Sequence, residues 1–230
     1  MAGQTTYLVF DFPDGRLTDH APILRLMERI AEGDRFQFLK KAIVCDDSPG
    51  DIYVPNSPET LANAWRNAMR AAARYNGYWM EFEDDEAFRL AFGFDPNDPR
   101  RLFLSVRTSS INRPTDAARV RELARVAELI YGTLSPHYGF GFFSYEMHEL
   151  PEPGSPVAAL WDYNFFSPAL VEQFGRDRLL ALPAWRHAEL PDGGLFLEMS
   201  PSPIAEWQPY MANYREAAAA LGVNKFYQGG

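Results

Sequence analysis

The sequence predicts an α+β fold, an antiparallel-rich mixed sheet or sheets with helices packed on one face, and three observations predict it. Residues 102–145 read as strand, helix, strand. Segments 78–94 and 178–199 read as hairpins closed by acidic or glycine-rich tips. Strands outnumber helices, and hairpins mix with helical crossovers, whereas a parallel doubly wound sheet needs strand and helix to alternate throughout.

Taken in order, Tyr7 to Phe12 is an apolar run suited to a buried strand, and Pro13-Asp14-Gly15 is a turn. A helix follows, with Thr18 or Asp19 as its cap, Ile23, Leu24, Met27 and Ile30 on its inner face, and Gly33 at its end. Phe36 to Cys45 and Ile52 to Val54 read as strands. Ser57-Pro58 opens a second helix that runs to Asn76-Gly77. Tyr78 to Phe82 and Phe88 to Phe94 alternate apolar and polar residues across Glu83-Asp84-Asp85-Glu86, which predicts a hairpin with four negative charges at its tip.

Leu102 to Val106 begins the strand-helix-strand unit. Its helix is capped by Thr115, and Val120, Leu123, Ala124, Ala127, Ile130, Tyr131 and Leu134 recur at spacings of three and four. Tyr138 to Tyr145 is its second strand. His148 to Pro156, with three prolines and a glycine, reads as a loop or as a linker between two subdomains of an otherwise single domain. Ala158 to Phe166 reads as a strand, Pro168 to Gly175 as a short helix, Arg178 to Leu190 with Leu195 to Met199 as a hairpin, and Glu206 to Leu221 as a last helix with Gly222 behind it.

The chain has 230 residues, 47% of them hydrophobic, enough for a sizeable core. No window approaches the ~20 apolar residues of a membrane span, and the first residues lack the basic and apolar regions of an export signal. A cytoplasmic protein is expected. Cys45 stands alone, which excludes an intrachain disulfide and a multi-cysteine metal site. A net charge of −9 argues against a nucleic-acid partner, whose binding needs a basic face. Seven arginines lie between Arg100 and Arg125 against Asp116 and Glu122, and read mostly as a solvated helix face.

Catalytic constellations are sparse. Val9 to Asp19 resembles the first motif of haloacid-dehalogenase-type phosphatases, in which two aspartates one residue apart act as nucleophile and general acid. Pro13 occupies the second aspartate's place and Asp14 lies one further on. In an extended segment that shift turns the side chain to the opposite face, so Asp11 and Asp14 do not converge. His20, His137, His148 and His187 are dispersed, with no metal-ligand spacing. Gly154-Ser155-Pro156 is no nucleophile elbow, and Gly139-Phe140-Gly141 and Gly193-Gly194 do not precede a helix as a phosphate cradle would. No cofactor, metal or catalytic residue is expected.

Two acidic clusters remain, Asp46, Asp47 and Asp51, and Glu83, Asp84, Asp85 and Glu86. They read either as solvated loops or as a surface that steers a basic partner, since complementary charge raises association rates.

From Leu102 onward the chain resembles bacterial immunity proteins encoded beside polymorphic or type VI secretion toxins, nearest the Immunity protein 52 family. The resemblance rests on the strand-helix-strand, on Trp161-Asp162-Tyr163-Asn164-Phe165-Phe166-Ser167-Pro168 leading to Phe174-Gly175, on Arg178-Leu179-Leu180, and on the glycine-tipped stretch Leu190 to Leu197. It implies a non-enzymatic antitoxin that binds a cognate toxin, a nuclease effector with a basic surface, with no membrane partner; a homodimer is also compatible. The acidic clusters are candidate toxin contacts by charge, not by resemblance. A small acidic metal-dependent hydrolase using Asp11, Asp14 and Asp46 is the alternative. A structural partner in a larger assembly, with Trp161 and Phe165 at the contact, is a third.

Overall fold

A computed structural model of the chain describes residues 5–18, 21–32, 41–45, 52–55, 63, 78–83, 89–94, 100–107, 114–144, 150–202, 207–223 and 225–226. The apolar run at the N-terminus forms strand β1 (Thr5–Asp11), and it supplies the middle of the molecule. It is flanked by β6 (Arg101–Arg107) and β7 (Tyr138–Ser144), antiparallel to both, with Phe10 opposite Leu102 on one side and Gly139 on the other. The unit β6, helix α2 (Pro114–Leu134), β7 is therefore a crossover that steps over β1. Its two strands are parallel to each other and never touch. Helix α2 starts at Pro114, so Thr115 lies in its first turn rather than capping it.

The remaining strands extend this trio in both directions: β2 (Lys41–Cys45), β3 (Ile52–Pro55), β4 (Tyr78–Glu83) and β5 (Arg89–Phe94) beyond β6, and β9 (Tyr163–Phe166), β11 (Leu195–Glu198) and β10 (Arg186–Glu189) beyond β7. The order β10-β11-β9-β7-β1-β6-β5-β4-β2-β3 makes one ten-stranded sheet in which each pairing is antiparallel. The α+β class and the antiparallel-rich sheet are as the sequence predicts. So is the hairpin at 78–94, in which Glu83 faces Arg89. The helix expected over 57–76 lies outside the described residues, apart from residue 63.

Strand alternation gives the sheet two faces. Leu8, Phe10 and Phe165 lie on the face of α2 and of helix α1 (Ala21–Glu32), where Tyr131 stacks on Phe165 at 5.9 Å and Arg29 Nη1 donates to Thr133 Oγ1 at 2.8 Å. Among the described side chains of α1, Ile23 and Leu26 are buried and Leu24 is only half-buried; those of Met27 and Ile30, also expected on the inner face, lie outside the described ones. Val9, Phe140 and Phe142 lie on the other face. There Phe140 stacks on Trp161 at 4.5 Å, inside a core shared with helices α3 (Pro168–Phe174), α4 (Arg176–Leu180) and α5 (Met211–Leu221). The C-terminal segment thus adds a second helical layer opposite α1 and α2. Each fully buried aromatic here contributes about 1.5–3 kcal/mol of burial.

The expected strand over 158–166 is two pieces. β8 (Ala159–Leu160) pairs in parallel with β12 (Lys225–Phe226) in a small separate sheet, and β9 joins the large one. Asn164 makes the break: its side-chain oxygen accepts from Trp161 N at 3.1 Å and its amide donates to Trp161 O at 2.7 Å. The hairpin expected from Arg178 begins only at Arg186, because α4 occupies 176–180. The proline-rich stretch 150–158 is strapped to the end of β1. Arg101 Nη2 donates to Pro151 O, and Gly154, at φ 80°, lies against Pro13. Among the described residues no helix is long and apolar enough to cross a membrane.

Candidate functional site

The acidic candidates are placed by the strands that carry them. Asp46, Asp47, Asp51, Asp84, Asp85 and Glu86 lie outside the described residues, and Glu83 is the last residue of β4. The register of β2 with β4 sets Cys45 opposite Trp79 and Lys41 opposite Glu83. The chain therefore leaves β2 towards residue 46 at one end of this pair and leaves β4 towards residue 84 at the other. The two departure points are separated by the length of β2, roughly 14 Å at the usual strand rise. Both belong to the β2/β3 end of the sheet, remote in strand order from the C-terminal layer.

Two of the three suspects for hydrolytic chemistry, Asp11 and Asp14, are each paired with an arginine. Asp11 is 3% exposed and receives Arg101 through Nε at 2.7 Å and Nη2 at 3.1 Å, a bidentate pair that occupies both carboxylate oxygens. Asp14 is exposed and faces Arg16, whose Nη2 lies at 2.6 Å. The side-chain hydrogen bond from Arg16 is the main cause holding Asp14 below the usual aspartate range. Asp46, the third suspect, lies outside the described residues. Among the described residues, no three His, Cys, Asp or Glu side chains gather as a metal site would require. Trp161 and Phe165, expected at a contact with a larger assembly, are 1% and 0% exposed and belong to the core.

Three polar clusters that local sequence patterns did not reveal tie distant elements together. Arg186 on β10 bridges Glu198 on β11 and Glu128 on α2, with its guanidinium 5.1 Å from the centre of the Phe196 ring. Burial raises the Glu198 carboxyl, and Arg186 offsets only part of that. Tyr214 on α5 donates to Asp162 Oδ1 at 2.6 Å, deep in the core. Tyr131 donates to Asp192 Oδ2 at 3.0 Å, while Gly194 N donates to Asp192 Oδ1 at 2.9 Å. Burial and the neighbouring carboxylate push both Tyr131 and Tyr214 far above the usual phenol value, so both keep their protons and act as donors. Tyr131, Gly132, Ser135, Pro191 and Asp192 line a concavity of about 240 Å³ where α2 ends beside the β10–β11 turn.

The motif that carried the family resemblance is thus scaffold. Trp161 fills the core, Asp162 anchors α5, Asn164 closes a turn and Ser167 caps α3 by accepting from Leu170 N.

No protein-family model and no curated protein matches this chain, so the resemblance to the Immunity protein 52 family stands on its motifs alone. A solved structure is similar, that of the Pseudomonas aeruginosa T6SS protein PA0821. The similarity covers 96% of this chain and 72% of that chain, with a TM-score of 0.54 at 11% sequence identity. At that identity the likeness establishes a shared fold.

Proposed function

We propose that this chain is a type VI secretion-associated immunity protein that binds and neutralises a cognate toxin, a nuclease effector with a basic surface, in the cytoplasm. The observation that carries the reading is the likeness of nearly the whole chain to the fold of a T6SS protein. The net charge of −9 supports it, because an acidic inhibitor is electrostatically matched to a nuclease that must hold a polyanion. The candidate contacts are Asp46, Asp47 and Asp51, and Glu83, Asp84, Asp85 and Glu86. Binding, not turnover, is the proposed activity, and Asp11 and Asp14 have structural partners instead.

The test is a pull-down of tagged protein from its native lysate, with co-purified chains identified by mass spectrometry. One stoichiometric, basic partner is expected, toxic when expressed alone and harmless when expressed with this chain. Persistent toxicity on co-expression would end the immunity reading.

A further inference from the structure

Asp192 stands exposed in the β10–β11 turn, and both of its carboxylate oxygens are held by neutral donors, Oδ2 by the Tyr131 hydroxyl at 3.0 Å and Oδ1 by Gly194 N at 2.9 Å. A carboxylate has about four lone-pair sites, so each oxygen keeps one to offer. Among the described residues no cation pairs with it. Arg176 and Arg16 each reach this region with a carboxylate of their own. Arg176 donates to Gly193 O at 2.6 Å and pairs with Glu189 at 3.4 Å. Arg16 donates to Ser135 O at 3.2 Å and pairs with Asp14 at 2.6 Å. Asp192 is thus an oriented negative charge that no neighbour offsets.

The concavity beside it is bounded on its other side by the last turn of α2. Ser135 N closes that turn on Tyr131 O at 2.8 Å, but Pro136 has no N–H to give Gly132 O, and His137 N is spent on Asp11 O. The Gly132 carbonyl therefore lacks its helical donor at the negative end of the helix dipole, and the last turn of α2 carries no basic residue. Nothing in the fold requires glycine at 132, since a Cβ there would meet no heavy atom within 4 Å; its bareness leaves the mouth of the concavity open. At about 240 Å³ the space is smaller than the about 300–1,000 Å³ of small-molecule sites, and its rim of Gly132, Ser135, Pro191 and Asp192 is exposed. It is sized for one side chain presented by another protein surface. A guanidinium suits it, with a planar fork for the two remaining lone pairs of Asp192 and weakly hydrated faces for the apolar walls at Tyr131 and Pro191. We propose that this concavity receives an arginine side chain of the partner protein, which forks on Asp192 beside the end of α2. The inference rests on the immunity reading for the identity of that partner as a basic toxin, and not on the acidic loops.

Titration of the full chain with methylguanidinium, followed through the amide shifts of Ser135, Gly193 and Gly194, tests the site without the partner. Saturable shifts are expected, and methylurea, a neutral group of similar shape, should produce none. Asp192→Asn keeps an acceptor for Gly194 N and should weaken methylguanidinium binding about tenfold or more. Gly132→Leu enters open space and should block the mouth; it decides alone if Asp192→Asn lowers the melting midpoint. With the toxin captured by pull-down, each variant should raise its Kd about tenfold or more. Absent shifts, shifts that methylurea matches, or shifts that both variants leave unchanged overturn the proposal. So does saturation by methylguanidinium with unchanged toxin affinity in both variants, which would mark a site for a free cation only. A chain that saturates with methylguanidinium but captures no toxin overturns the immunity reading and keeps the guanidinium site.

Discussion

Arg101 illustrates how far a single side chain's role can lie from its local sequence context. It belongs to an arginine-rich run that reads as solvated, yet it is 9% exposed, holds Asp11 across 90 residues and donates to Pro151 as well. Removing it leaves a carboxylate buried beside the core. Arg101→Met should therefore lower stability by about 3–5 kcal/mol, read as a fall in urea midpoint at unchanged slope. Glu198 makes a prediction of the opposite kind, in pH. Burial raises its folded-state value above the ordinary 4.5, so the folded protein holds this proton more tightly than the unfolded chain does. That contribution to stability is complete below the ordinary glutamate value and is lost as pH rises through the raised one. Glu198→Gln should flatten stability against pH over that interval; an unchanged slope would mean that Arg186 fully compensates the burial.

Elements were legible where the period was long and the partners local. β1, the hairpin at 78–94, α2 and the end of α5 at Gly222 follow from apolar spacing and end signals, whereas α5 begins at Met211 and not at Glu206. The break between β8 and β9 was not legible, because a largely apolar run in which Asp162 and Asn164 alternate with aromatics reads as one strand and conceals a turn made by one buried amide, Asn164. Helix α4, five residues long, is too short to display a helical period. The two glycines of β7 were visible but not interpretable. A Cβ on Gly141 would lie 2.4 Å from Leu8 Cδ2 and 2.8 Å from Tyr163 Cδ2, and one on Gly139 would meet the Phe10 ring at 2.7 Å. They are absent side chains that let neighbouring strands' large ones cross the sheet. Gly141→Ala should cost about 1–3 kcal/mol by overpacking, measured by urea unfolding. A neutral effect would indicate that Leu8 can change rotamer freely.

At the scale of the whole molecule, the pattern of strands, hairpins and crossovers predicted the α+β class and the charge balance an acidic chain, while strand order, which decides what lies near what, was not legible. The two acidic clusters are separated in sequence by one helical stretch and could be imagined as one patch. The β2–β4 register sets Cys45 opposite Trp79 and Lys41 opposite Glu83, so the two strands end at opposite ends of their pair. Charge reversal tests the two clusters separately. With the captured partner, Asp84, Asp85 and Glu86 changed together to Lys, and separately Asp46, Asp47 and Asp51 changed to Lys, should differ in effect. The cluster at the interface should slow association by about tenfold or more and flatten its salt dependence. The other should leave both nearly unchanged. Equal slowing by both sets would require a partner that spans the strand pair, and no slowing by either would remove electrostatic steering by these residues from the account of how the chain finds that partner.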